Sequence, residues 1–60
     1  MEYLIQGMKT RDIEINKRYD DVRVAKFEFE CFQLNNISQY LALYEVDNGI
    51  MQQIDLYINN

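Results

Sequence analysis

The 60-residue sequence predicts a single all-β domain over residues 1–60. The expected architecture is a small curled antiparallel meander, or an SH3-like or OB-like barrel, of about five short strands. Three observations support this fold class. The chain is 48% hydrophobic and 13% aromatic, which favours an ordered domain. Several short segments alternate apolar and polar residues, and Asn35-Asn36 and Asp47-Asn48-Gly49 separate such segments as hairpin turns do.

The first 20 residues predict two short strands. Tyr3 and Ile5 alternate with their neighbours, and Ile13 and Ile15 do the same. The segment "NKRYDD", residues 16–21, is typical of a polar turn.

A third strand is predicted over residues 21–34, "DVRVAKFEFECFQL". This segment is rich in β-branched and aromatic residues, and it alternates phenylalanine with glutamate over residues 27–30. A straight strand of this length would span about 46 Å, whereas a domain of this size has a radius of gyration of roughly 10 Å. We therefore expect a bend or a bulge near Ala25 and Lys26.

The remaining sequence predicts strands over residues 39–46 and 50–58. If Asn35-Asn36 forms a two-residue turn, Cys31 lies opposite Tyr40 and Phe27 lies opposite Tyr44. For the next connection we expect a three-residue loop with Gly49 in the left-handed conformation. A two-residue turn would instead place Asp55 beside Ala42 on the buried side.

The same stretch also permits a helix. Asn36 could cap it, Gln39 could complete a capping box, and Gly49 could end it. This alternative gives an α+β fold with a helix over residues 37–47. It leaves the agreement between the apolar faces of neighbouring strands unexplained, so the strand is preferred.

The composition gives no support for an enzyme, a metal site or a cofactor site. The chain has no histidine, the commonest general base and metal ligand. Glu28 and Glu30 share a face of the predicted strand, where carboxylates are usually solvated. Cys31 is the only cysteine and cannot form an internal disulfide, so a small buried apolar role is expected for it.

The net charge of −4 is unevenly distributed. All six basic residues lie within the first 26 positions, and every charged residue from Phe27 onward is acidic. No apolar run approaches the ~18 residues of a membrane span, and the first residues do not resemble a signal peptide. We therefore expect a cytoplasmic protein without membrane contact, and the unpaired thiol fits a reducing compartment.

The sequence predicts a small acidic protein-interaction module. Its binding face would have an apolar centre and an acidic rim, as interfaces often do. The residues predicted for this face are Glu28, Glu30, Leu41, Leu43, Glu45, Met51, Asp55 and Tyr57. The expected partner is a protein with a basic surface or a second copy of the chain in a homodimer. The competing interpretation is that the N-terminal strands cover these leucines as a second core layer.

The interaction module could act as an inhibitor or regulator of its partner, and two other functions are open. In size and acidity the chain is similar to phage- or mobile-element-encoded inhibitors that block a basic groove, although no motif supports that analogy. Segment 9–26 could bind single-stranded nucleic acid through Lys17, Arg18 and Tyr19. Intervening acids and the negative net charge oppose phosphate binding, so nucleic acid is not the expected partner. A structural homodimer subunit is the remaining alternative.

Overall fold

The computed structural model describes residues 1–9, 12–35 and 38–58. The elements, in chain order, are β1 (Glu2–Lys9), β2 (Asp12–Tyr19), α1 (Val22–Leu34), β3 (Tyr40–Asp47) and β4 (Ile50–Ile58). The strands form one antiparallel sheet in the order β2-β1-β3-β4, and α1 packs on one side of it. The all-β prediction is confirmed in so far as the described residues form mostly β structure in one antiparallel sheet, but it did not include the helix. The sheet is open, with β2 and β4 as its edges, so the described strands do not close the predicted barrel.

The predicted strand over residues 21–34 is wrong, because this segment forms α1. Asp21 caps the helix, and its side chain accepts a hydrogen bond from the backbone N–H of Arg23 at 2.8 Å. Ala25 and Phe29, one turn apart, bury the inner side of the helix. Thirteen helical residues span about 20 Å, which fits a molecule whose longest dimension is 32 Å.

The alternation that suggested a strand comes from two apolar stripes on opposite sides of one helix. Phe27 and Phe29 are separated by about 200° around the helix axis. Phe29 is buried in the core, whereas Phe27 is 66% exposed on the outer side. Asn35 caps the end of α1 and is therefore not part of a hairpin turn. Asn36, the other half of that predicted turn, lies outside the described residues.

The two predicted N-terminal strands are confirmed as β1 and β2. The predicted turn over residues 16–21 is wrong, because β2 continues to Tyr19 and only Asp20 and Asp21 connect it to α1. β1 is a central strand that pairs with both β2 and β3. Ile5 accordingly lies between Lys17 on one side and Leu43 on the other.

The core lies between α1 and the sheet. Its buried members are Ile5, Ile15, Ala25, Phe29, Leu41 and Leu43. Ser38, just before β3, lies very close to β1. A Cβ on Gly7 would lie 2.6 Å from the Oγ of Ser38, which is buried and donates a hydrogen bond to Glu14 at 3.2 Å. The absence of a side chain at Gly7 is what lets Ser38 approach the strand.

β3 and β4 confirm the strands predicted at 39–46 and 50–58, against the helix over 37–47. The three-residue loop is wrong, because Asp47 pairs with Ile50 across a two-residue turn. Asn48 (φ 51°) and Gly49 (φ 79°) are both left-handed, as a type I′ turn requires. The expected positive φ of Gly49 is confirmed.

A bulge at Ile54 removes the objection to the shorter turn. Gln53 lies opposite Tyr44 and Asp55 lies opposite Leu43, so Ile54 is an extra residue in β4. Beyond the bulge Ala42 faces Leu56 instead of Asp55. The chain thus matches its apolar faces with a bulge inside the strand, whereas the prediction matched them with a longer loop.

Candidate functional site

Three of the predicted interface residues lie in or against the core. The side chains of Leu41 and Leu43 are 1% and 0% exposed, because α1 covers this side of the sheet. Tyr57 is half-buried against the same core. The expectation that the two leucines form an exposed patch is therefore wrong. The competing interpretation was right about their burial, but the cover is the helix.

The other five predicted residues do not share one surface. Glu28 and Glu30 lie on α1, because the segment is helical. Glu45 and Asp55 lie on the helix side of the sheet, opposite Tyr3 and Leu43. Met51 points to the other side of the sheet, with Val46 beside it. An acidic rim around an apolar centre is therefore not formed.

The sheet surface opposite α1 is the stronger candidate. Strand residues alternate between the two faces, so the neighbours of the core positions point away from the helix. We call this surface the open face; its apolar members in β1, β3 and β4 are Leu4, Met8, Tyr40, Ala42, Tyr44, Val46, Met51, Leu56 and Ile58. The sequence signal was the alternation from Tyr40 to Val46, on the side of the strand that the sequence predicts to be buried with Ala42.

The centre of the open face is packed and its β4 edge is exposed. Leu4 and Ala42, on the two central strands, are 6% and 0% exposed. Towards the edge, Met51, Leu56 and Ile58 are 50%, 41% and 57% exposed. The face therefore continues from a buried apolar centre to an apolar edge that water contacts.

Two of these members, both tyrosines, also bring hydroxyl groups to the open face. The Tyr40 hydroxyl donates a hydrogen bond to Oε1 of Gln53 at 3.4 Å. A hydrogen bond with Tyr40, and then burial, raise the pKa of the Tyr44 phenol above its ordinary value. A shallow groove of about 350 Å³ runs beside them and is also lined by Gln6 and Met8.

The open face carries almost no charge. Among the charged residues of the described strands, only Glu2 and Arg18 point to this side, and they form an ion pair at 2.8 Å. The pair is exposed and therefore adds little stability. It does cancel the two charges, so the face is neutral although the chain is acidic.

No protein-family model, curated protein or solved structure matches this chain. In the part of the chain that the structure describes, no group of three or more Cys, Asp or Glu side chains could hold a metal ion. No helix within residues 1–9, 12–35 and 38–58 has the length and apolarity needed to cross a bilayer.

The basic segment proposed for nucleic acid is divided between the two sides of the sheet. Lys17 points to the helix side, where its Nζ lies 5.7 Å from the centre of the Phe32 ring. Arg18 points to the open face and is paired with Glu2. Tyr19 is half-buried on the helix side. The two cations and the ring therefore do not converge on one phosphate-binding surface.

Proposed function

We propose that the protein is a non-catalytic protein-interaction module that binds its partner through the open face. The observation that carries this proposal is the exposure of Met51, Leu56 and Ile58 next to the buried Leu4 and Ala42. A contiguous apolar surface of this kind is unusual on a monomer and is typical of interfaces. The tyrosines beside it are also common at interfaces.

The groove on the open face supports binding over catalysis. Its lining contains no carboxylate, imidazole, thiol or amine that could act as a general acid or base; the lining residues are Gln6, Met8, Gln39, Tyr40 and Tyr44. The raised pKa of Tyr44 moves that phenol further from acid–base work at pH 7. We include a cytoplasmic location in the proposal, in keeping with the free thiol of Cys31.

A basic partner that docks on the acids is less well supported. Glu28 and Glu30 lie on α1, away from the open face. An inhibitor that blocks a basic groove would need its acids side by side on one surface. Single-stranded nucleic acid binding is also weakened, because Lys17 and Arg18 point to opposite sides of the sheet.

Photo-cross-linking tests the proposed surface. A photoreactive benzoyl-phenylalanine replaces Tyr44 on the open face, and in a control variant it replaces Lys26 on the exposed side of α1. The full chain is then irradiated in an extract of its source cells. We expect protein adducts from position 44 and far fewer from position 26. Adducts with nucleic acid alone, or no adduct at position 44, would contradict the proposal.

A further inference from the structure

We infer that the occupant of the open face is a second copy of this chain, packed sheet against sheet about a twofold axis. This inference rests on the proposed function, because it names the partner of the same surface. The resulting particle would have four layers, with a helix outside each sheet. The apolar edge along β4 would then be covered by the partner's sheet.

The available area favours this surface over the other exposed apolar surface of the molecule. The two longer dimensions of the molecule are 32 and 22 Å. They give an upper bound of roughly 700 Å² for the area of the open face, close to the ~800 Å² per partner of a standard interface. The outer stripe of α1 (Val24, Phe27 and Leu34) is also exposed. A helix of this length offers only about 200 Å², so the open face is the better site for a stable dimer.

The charge pattern also favours a second copy. The chain has a net charge of −4, and most surfaces of two copies would repel one another. Of the described strand residues, the open face presents one acid and one base, Glu2 and Arg18, which already neutralise each other. Two open faces can therefore meet without opposing an excess of like charge. A basic partner would find no unpaired acid among the described strand residues of this face.

The structure of the face suits sheet-on-sheet packing. Side chains of two packed sheets interdigitate across a layer about 10 Å thick. The groove beside Met8 and Tyr40 is large enough to receive a side chain from the facing sheet. The exposed Leu56 and Ile58 are the residues that would gain most burial.

The test measures the mass of the full chain in solution by sedimentation over a range of concentrations. The variants are Leu56→Ser with Ile58→Ser, and the control Phe27→Ser on the outer stripe of α1, which removes a more exposed apolar side chain. We expect the wild type to dimerise. The double substitution should weaken the dimer by on the order of a hundredfold or more, because both copies lose buried apolar area. Phe27→Ser should leave the dimer unchanged, and far-ultraviolet circular dichroism checks the fold of each variant.

Several outcomes would overturn the inference. A wild-type monomer at all concentrations would do so, as would a dimer that only Phe27→Ser dissociates. If the double variant fails to fold, the cross-linker at position 44 decides: adducts between two copies that map to Met8 or Tyr40 support the inference, and adducts that map to α1 oppose it. Adducts at position 44 with foreign proteins alone would leave the proposed function standing and remove the second copy.

Discussion

At the scale of single residues, Tyr19 combines burial with an unmet hydrogen bond. Within the described residues, its hydroxyl is buried and has no hydrogen-bond partner. Burial, and then the nearby charge of Glu28, raise the pKa of this phenol. A buried hydroxyl without a partner costs free energy. The side chain is therefore kept for its ring, which packs against the core.

We expect Tyr19→Phe to leave the free energy of unfolding at pH 7 unchanged or slightly higher, because it removes only the unpaired hydroxyl. In the wild type, the folded state favours the neutral phenol of Tyr19. The stability that depends on this neutral phenol is fully present below the unfolded pKa of about 10, and it is lost as pH rises through the higher folded pKa. Urea titrations between pH 8 and 11.5 should show a smaller alkaline loss in the variant than in the wild type. A marked loss of stability at pH 7 would show that the hydroxyl has a partner. Tyr44 remains to titrate in both proteins.

At the scale of elements, alternation and turn chemistry predicted all four strands but not the helix. Residues 27–30 alternate as a strand does, yet the same residues place Phe29 inside and Phe27 outside on a helix. The helix start could have been recognised from Asp21, an N-cap residue followed by apolar positions at helical spacing. What the pattern could not show is that the second apolar stripe would remain exposed.

The turn between β3 and β4 provides a test at this scale. We expect Gly49→Val to lower the free energy of unfolding by roughly 1 kcal/mol or more, because a β-branched residue resists the φ of 79° found there. Gly49→Asn should cost less, since asparagine tolerates this conformation. Among the described residues, nothing apart from the two chain neighbours would lie within 4 Å of a Cβ at Gly49, so the substitutions measure backbone strain. Equal stabilities of the two variants in chemical denaturation would argue against a strained turn.

At the scale of the whole molecule, the strand order and the position of α1 determine which face of β3 is covered, and the sequence pattern alone does not. β3 is apolar on both faces, with Leu41 and Leu43 on one and Tyr40, Ala42 and Tyr44 on the other. The period of a strand shows that both faces exist, but it does not show which face a helix will cover. Because β1 pairs with β3 and α1 packs against Leu41 and Leu43, the face of β3 that carries the tyrosines belongs to the open face. The leucine face of β3, which the sequence predicts as the binding face, is therefore the one that faces the core.

The proposed dimer links stability to concentration for the whole molecule. Since dimerisation favours the folded state by mass action, the thermal midpoint should rise when the protein concentration is raised a hundredfold. Leu56→Ser with Ile58→Ser should remove this dependence, and Phe27→Ser should retain it. Melting curves followed by circular dichroism at several concentrations provide the measurement. A midpoint that does not move in the wild type would point to a monomeric folding unit.

The bulge at Ile54 also affects how β4 tolerates changes of length. On each side of it the strand pairs regularly with β3, so the strand contains one residue more than its pairing needs. Loss of Ile54 would leave Gln53 opposite Tyr44 and Asp55 opposite Leu43, and each side chain would keep its face. After loss of a residue beyond the bulge, the remaining residues could keep their faces only if the bulge moved or disappeared. β4 is thus a strand in which a deletion can be neutral at one position and can exchange the faces a few residues later.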